Sequence, residues 1–284
     1  MKIPKRLQPL IDDGWIDEVI SRLMSGKEAD VFVVRCGTGI RCAKVYKEAA
    51  KRSFKKAAQY QEGRKVRNSR RGRAMEKGSK FGRKQQEEIW QNSEVDALSR
   101  LARSGVRVPE TFGCLDGVLL MELIRDNAGD VAPRLADVVM SVEEAKAGHA
   151  QIMQYVVRML CAGLIHGDLS EFNILVGEDG PVIIDLPQAI DAAANNNAQS
   201  MLERDVNNMR NHYGLFAPEL LETQYAKEIW AQYEDGELHP DSTLTGYFEE
   251  ETKAADVDEV LANIDMAISE EEARLERLQA ANEE

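Results

Sequence analysis

Cysteine is scarce and unclustered in this chain. Its four copies (Cys36, Cys42, Cys114, Cys161) have neither the density of a disulfide framework nor a C-x-x-C metal spacing. A reducing, cytoplasmic setting is expected. Long apolar runs are also missing. The longest, around Met153–Ile165, is interrupted by Arg158 and falls short of the ~20 residues a membrane span needs, so no membrane association is expected. Met1-Lys2-Ile3-Pro4 leads into charge rather than an apolar signal core, so no secretory leader is expected either. What remains is 284 residues, 43% apolar and 30% charged, enough for one bilobed domain or two small ones.

The net charge of −13 hides a segregation. Between Lys47 and Lys84 stand 15 Lys and Arg against three Glu, a local +12, with six of the positive charges inside Arg64–Arg73. The rest of the chain holds 21 basic and 46 acidic residues. From Glu249 to Glu284 there are 13 acids against three bases. The basic stretch has too few apolar residues to bury a core, which predicts a flexible loop over 47–88. Two uses fit it: an RNA contact through phosphates, or a solvated loop facing a substrate. Its aromatics (Phe54, Tyr60, Phe81) are too scattered for a base-stacking platform.

Val31–Arg35 and Ile40–Tyr46 are β-branched runs joined by Cys36-Gly37-Thr38-Gly39, the pattern of a hairpin. Trp90, Glu94, Leu98 and Leu101 share one helical stripe that ends near Gly105 and Pro109. Thr111–Cys114 and Val118–Leu123 read as a second strand pair around Asp116-Gly117. Ser141–Gly163 has a broad apolar face and reads as a largely buried helix. Two short strands follow at Ile174–Val176 and Val182–Ile184. Ser200–Glu203 has capping-box spacing and is expected to open a helix aligning Leu202, Val206, Met209 and Tyr213. Pro218 is expected to begin another that runs towards Tyr233. The acidic tail, 249–284, reads as amphipathic helix.

The densest chemistry lies in Ile165-His166-Gly167-Asp168-Leu169-Ser170-Glu171-Phe172-Asn173-Ile174-Leu175, followed by Val182-Ile183-Ile184-Asp185. Phosphoryl transfer needs a carboxylate to take the proton of an attacking hydroxyl, and an amide and second carboxylate to hold Mg²⁺ against phosphates. Asp168, Asn173 and Asp185 supply those groups in that order. Mg²⁺ takes oxygen ligands and keeps waters, so two protein ligands suffice. Lys44 lies mid-strand, where alternation sends Ala43 and Val45 to one face and Lys44 to the other. A lone strand lysine usually faces solvent, but Glu94, the acid in an otherwise apolar stripe, needs a buried partner. A Lys44–Glu94 pair would satisfy both. Ser25, Gly26 and Lys27 mark a turn that suits a phosphate-covering loop, placed before the first strand; an ordinary turn reads the same way.

These segments resemble the RIO family of atypical protein kinases, most closely its first subfamily. The resemblance is carried by Ser25-Gly26-Lys27-Glu28-Ala29-Asp30-Val31-Phe32, Ala43-Lys44-Val45-Tyr46-Lys47, Trp90-x3-Glu94, Leu120-Met121-Glu122, His166–Asn173 and Ile184-Asp185-Leu186-Pro187-Gln188-Ala189, collinear over about residues 20–215. It implies an α+β, two-lobed protein-kinase-like fold: a small β-rich N-terminal lobe with one main helix (1–124), a larger helical catalytic lobe (125–248) and the tail. The implied activity is transfer from ATP, with Mg²⁺ (or Mn²⁺), to Ser or Thr of proteins, the chain itself included. Ser53, Ser69 and Ser79 are candidate acceptors in the basic loop. By resemblance Lys44 contacts phosphates with Glu94 as its partner, Asp168 is the base, and Asn173 and Asp185 hold metal. Ser25 and Lys27 cover the phosphates, and the Glu122 carbonyl and Ile124 N–H face adenine. Asp185 also matches an aspartyl-phosphate acceptor, which implies ATPase turnover as an alternative, in a switch acting on an RNA- or ribosome-associated partner through 47–84. Small-molecule phosphotransferases of the aminoglycoside and choline kinase type share the H-G-D-x-x-x-x-N pattern, though not the Ser170-Glu171 insert. A conventional kinase would show G-x-G-x-x-G and D-F-G. This chain has neither, and Ala217-Pro218-Glu219 follows a predicted helix rather than an activation segment.

Overall fold

The alternating apolar residues of the N-terminal half build an antiparallel sheet. In the computed structural model, which describes residues 3–26, 28–47 and 93–249, five strands run β1 (Glu18–Ser25), β2 (Ala29–Cys36), β3 (Gly39–Tyr46), β4 (Thr111–Leu115) and β5 (Val118–Glu122). Their spatial order is β1-β2-β3-β5-β4. The β2–β3 hairpin closes on the Cys36–Gly39 pair. Its two-residue turn needs a left-handed backbone, which Gly37 supplies at φ 60°.

Two-residue periodicity sorts this sheet into faces. Phe32, Val34, Ala43, Val45, Val118 and Leu120 cluster with Leu10 of the short helix α1 (Gln8–Asp12) and with Leu7 and Ile16 on either side of it. Ala29, Tyr46 and Leu119 join the main core with Ala97, Leu98 and Leu101 of a second helix, α2, spanning 93–103 among the described residues. Lys44, on the Tyr46 face, is thereby aimed at α2.

The helical half is organised by α3 (Val142–Cys161), α4 (Ala198–Gly214) and α5 (Tyr225–Glu234). Ser141 caps α3 in a reciprocal box with Glu144. Between α3 and α4 lie β6 (Leu164–Ile165), β7 (Ile174–Gly177), β8 (Gly180–Ile183) and β9 (Ile190–Asp191), with β6 pairing β9 and β7 pairing β8. All these elements fall in the compact unit Met1–Tyr247. Among the described residues no helix is long and apolar enough to cross a membrane.

Four expectations need correction. A strand, β1, ends at Ser25 and pairs antiparallel with β2, Ser25 opposite Asp30, so the Ser25–Asp30 segment joins two strands rather than approaching the first. Two register shifts in the β1–β2 pairing break the period that would have revealed it. Ser200 does not cap α4. The helix starts at Ala198, and the Ser200 hydroxyl donates to the Asn197 carbonyl (3.0 Å) from within the first turn. Pro218 opens a 3-10 turn (Pro218–Glu222) and not a long helix. That turn ends where Thr223 bonds back to Leu220 and Gln224 N–H donates to the Gly246 carbonyl (2.8 Å). Lys47, counted with the basic loop, is pinned to the sheet through the Gly26 carbonyl (2.6 Å) and Asp30 (3.4 Å). The rest of the basic stretch, with Lys27, Trp90, the three candidate acceptor serines and the tail from 250 on, lies outside the described residues.

Candidate active site

Strand β3 and helix α2 meet at a buried charge network. Lys44 Nζ donates to Glu94 Oε1 at 2.6 Å and to Asp185 Oδ1 at 2.7 Å. Tyr46, two residues along the same strand face, donates its hydroxyl to Glu94 Oε2. The Glu94 side chain is 2% exposed and that of Lys44 9%, so each needs the other to offset lost hydration. Burial works against the Lys44 ammonium, but Asp185 and then Glu94 outweigh it and push its pKa up. Burial and then Glu94 push the Tyr46 hydroxyl up, which keeps it a donor. Burial also opposes charge on Asp185, yet Lys44 prevails and holds that carboxyl below the usual range. The Asp185 side chain remains 42% accessible. Its backbone is left-handed at φ 66°, rare outside glycine.

The loop from His166 to Asn173 is held from below by α4. Asp205, 1% exposed, accepts from Gly167 N–H (2.7 Å) and Leu169 N–H (3.0 Å). Arg204 donates to the Gly167 carbonyl, and Asn208 Nδ2 to the Leu169 carbonyl at 2.9 Å. Leu169 is fully buried as the loop's apolar anchor. His166 Nδ1 accepts from Asp168 N–H (3.3 Å), which places the ring proton on Nε2, facing the Ile184 carbonyl at 3.1 Å. These contacts fix the backbone and leave Asp168 exposed at the surface. Asn173 Nδ2 donates to the Asp168 carbonyl (2.8 Å), and Gln188 Nε2 to Asp168 Oδ2 (3.3 Å). Burial pushes Asp205 up to about 6, against the two N–H donors.

The remaining candidates sit around this centre. Glu122 ends β5 with its carboxylate turned to Arg107 in a two-pronged pair (2.8 and 2.6 Å), which holds the carboxyl low. Ile124 is buried against Ala132 and Val182, and its carbonyl accepts from Ala132 N–H at 3.0 Å. Ser25 lies at the β1–β2 turn, within 3.4 Å of Lys47 Nζ.

The structure thus brings Lys44, Glu94 and Asp185 into direct contact, and Asp168 with Asn173. Sequence reasoning missed Tyr46, Gln188, Arg107 and the α4 trio. Asp205 had a readable signal: like Glu94, it is an acid set among apolar stripe residues, here Leu202, Val206 and Met209.

A five-stranded antiparallel sheet, a strand lysine paired to a helix glutamate, and a helix-anchored loop carrying Asp and Asn define a protein-kinase-like fold. The family model RIO1, the RIO domain, matches residues 30–226, and the chain belongs to this family. It is similar to the RIO-type serine/threonine-protein kinase Rio1 of Haloferax volcanii, 35% identical over 72% of this chain and 66% of that protein. The kinase of the same name from Methanocaldococcus jannaschii is 32% identical over the same shares. The serine/threonine-protein kinase RIO1 of Homo sapiens is 31% identical over 64% of this chain and 31% of its own length. The chain therefore matches less than two thirds of the length of these relatives. Membership sets aside the aminoglycoside and choline kinase reading.

Proposed function

We propose that the chain is a RIO-type serine/threonine protein kinase that uses ATP and Mg²⁺ and acts on proteins, itself included. Family membership implies use of ATP. The observation that carries the reading is Lys44 held between Glu94 and Asp185, which ties the sheet to the segment that follows the Asp168 loop. In this reading Lys44 neutralises phosphate oxygens while Glu94 keeps its ammonium aimed. The Glu122 carbonyl and Ile124 N–H face the adenine, and Ser25 and Lys27 cover the phosphates. Asp168 takes the proton of the acceptor hydroxyl as that oxygen forms its bond to the γ-phosphorus and the bond to ADP breaks.

A magnesium ion fits the donor set. Asp185 is ionised and accessible, Asn173 offers an amide oxygen, and both are hard oxygen ligands. Among the described residues no three His, Cys, Asp or Glu side chains gather to hold a metal by themselves, so these two would share the ion with phosphates and water. When bound, the ion would screen phosphate charge. We read residues 1–124 and 125–248 as the two lobes and 47–84 as the contact for an RNA or ribosomal partner. Deleting 47–84 should then weaken RNA binding and flatten its salt dependence; unchanged binding rejects that contact.

The test is labelled ATP with wild type, Asp168→Asn and Asp185→Asn, following phosphate on protein and free in solution. Transfer to Ser or Thr that both substitutions abolish supports the kinase reading. Free phosphate as the dominant product, with no transfer to added protein, supports the ATPase switch instead.

A further inference from the structure

Asp185, Leu186, Pro187 and Gln188 form a single short device. Ala189 N–H donates to the Leu186 carbonyl at 3.0 Å, closing a four-residue turn with Pro187 and Gln188 at its centre. Proline pre-sets the backbone of the first central position, and Leu186, 1% exposed, anchors the turn in the core. Asp185 is tied to Lys44 immediately before it. Gln188 therefore projects from a rigid, anchored base rather than from a mobile loop.

Its amide reaches Asp168 Oδ2 at 3.3 Å. An ionised carboxylate only accepts, so the amide must present its nitrogen there. Asp168 is thus gripped at its N–H by His166, at its carbonyl by Asn173 and at its carboxylate by Gln188. The first two contacts set the backbone. The Gln188 contact acts on the carboxylate itself.

We infer that Gln188 is a positioning residue for phosphoryl transfer: it orients the Asp168 carboxylate and couples that orientation to the turn carrying Asp185. The inference rests on the reading of Asp168 as the base. It requires the turn to hold two reacting-site carboxylates in fixed relation, one bound through Lys44 and the other through the glutamine amide.

Two near-isosteric substitutions test it. Gln188→Met keeps length and removes the donor; Gln188→Glu keeps shape and sets a second acceptor beside Asp168. Expected kcat falls by about tenfold for Met, the worth of one hydrogen bond to a charged group, and about tenfold further for Glu. KM for ATP, the Mg²⁺ concentration dependence and the melting temperature should stay within about twofold or a few degrees of wild type. A purely structural role would instead make kcat follow melting temperature, with no preference between Met and Glu, and that result overturns the inference. So do wild-type kcat in both variants and a change confined to KM. Asp168→Asn separates the two levels. If it retains transfer, the reading of Asp168 falls; if it abolishes transfer while both Gln188 variants keep wild-type kcat, only the positioning role falls.

Discussion

Asp185 and Asp205 flank the same loop, and their carboxyls are driven in opposite directions. Asp185 has a full cation at 2.7 Å, which overcomes burial and keeps it ionised. Asp205 has dipoles. Two backbone N–H groups and the pull of Arg204 oppose burial there, yet burial wins, pushing it up to about 6. A dipole offsets less desolvation than a charge at similar range. The accessible carboxylate is thus fixed in its charged form for chemistry, while the buried one clamps the backbone at a burial cost that protonation relieves.

Removing the cation tests the first half of that contrast most severely. Lys44→Met leaves Glu94 buried with, among the described residues, the Tyr46 hydroxyl as its remaining side-chain hydrogen-bond donor, and should cost about 3–5 kcal/mol in urea unfolding along with all transfer activity. Adding Glu94→Gln to Lys44→Met should restore most of the stability and none of the transfer. A double variant as unstable as Lys44→Met alone would show that the Glu94 charge is not the source of the loss.

The clamp should announce itself in the pH dependence. A carboxyl whose folded pKa is raised from 3.8 to about 6 binds more protons folded than unfolded between those values. Its stabilising contribution is full below 3.8 and lost as pH rises through 6, on the order of 3 kcal/mol. His149 acts oppositely. It packs against Tyr213 and Tyr225, its Nε2 has no hydrogen-bond partner among the described residues, and burial lowers it to about 4. Between pH 6.5 and 4 the unfolded chain takes the proton first, so His149 removes about as much stability on acidification. The two slopes oppose each other in the wild type. Asp205→Asn should make stability fall more steeply on acidification from pH 6 to 4, and His149→Phe should make it rise. Asp205→Asn should also lower kcat about tenfold at pH 7, since an amide cannot accept from Gly167 and Leu169 with both side-chain atoms. Unfolding curves at four pH values decide; parallel profiles for wild type and Asp205→Asn would exclude the clamp as the titrating group.

The same contrast explains what could be read from sequence. Lys44 and Glu94 were legible because each violates a strong period: a charge mid-strand, an acid in an apolar helical stripe. Their partners are side chains, and side chains leave a mark. Asp205 breaks its apolar stripe just as Glu94 does, but its partners are backbone N–H groups, which carry no residue identity, so the sequence shows that it needs partners without showing which loop supplies them. Strand β1 was hidden by its bulges, and β6 and β9, two residues each, are too short to show any period. Gln188 touches Asp168 across twenty residues through a turn whose only sequence trace is Pro187.

Tyr46 offers the finest test of how a buried carboxylate is held. Alternation puts it on the Lys44 face of β3, and its hydroxyl takes the Glu94 oxygen that Lys44 does not. Tyr46→Phe preserves the ring and its packing, with the residue only 1% exposed, and deletes that one donor. The Lys44 ammonium remains against Glu94 Oε1, so the ion pair survives. The loss should therefore be smaller than for Lys44→Met, about 1.5–3 kcal/mol for one hydrogen bond to a charged group. Because the freed oxygen lets the carboxylate rotate, Lys44 is less firmly aimed, and KM for ATP should rise by a few fold with kcat nearly unchanged. Equal losses in Tyr46→Phe and Lys44→Met would mean that the hydroxyl, and not the ammonium, is what makes burial of Glu94 tolerable.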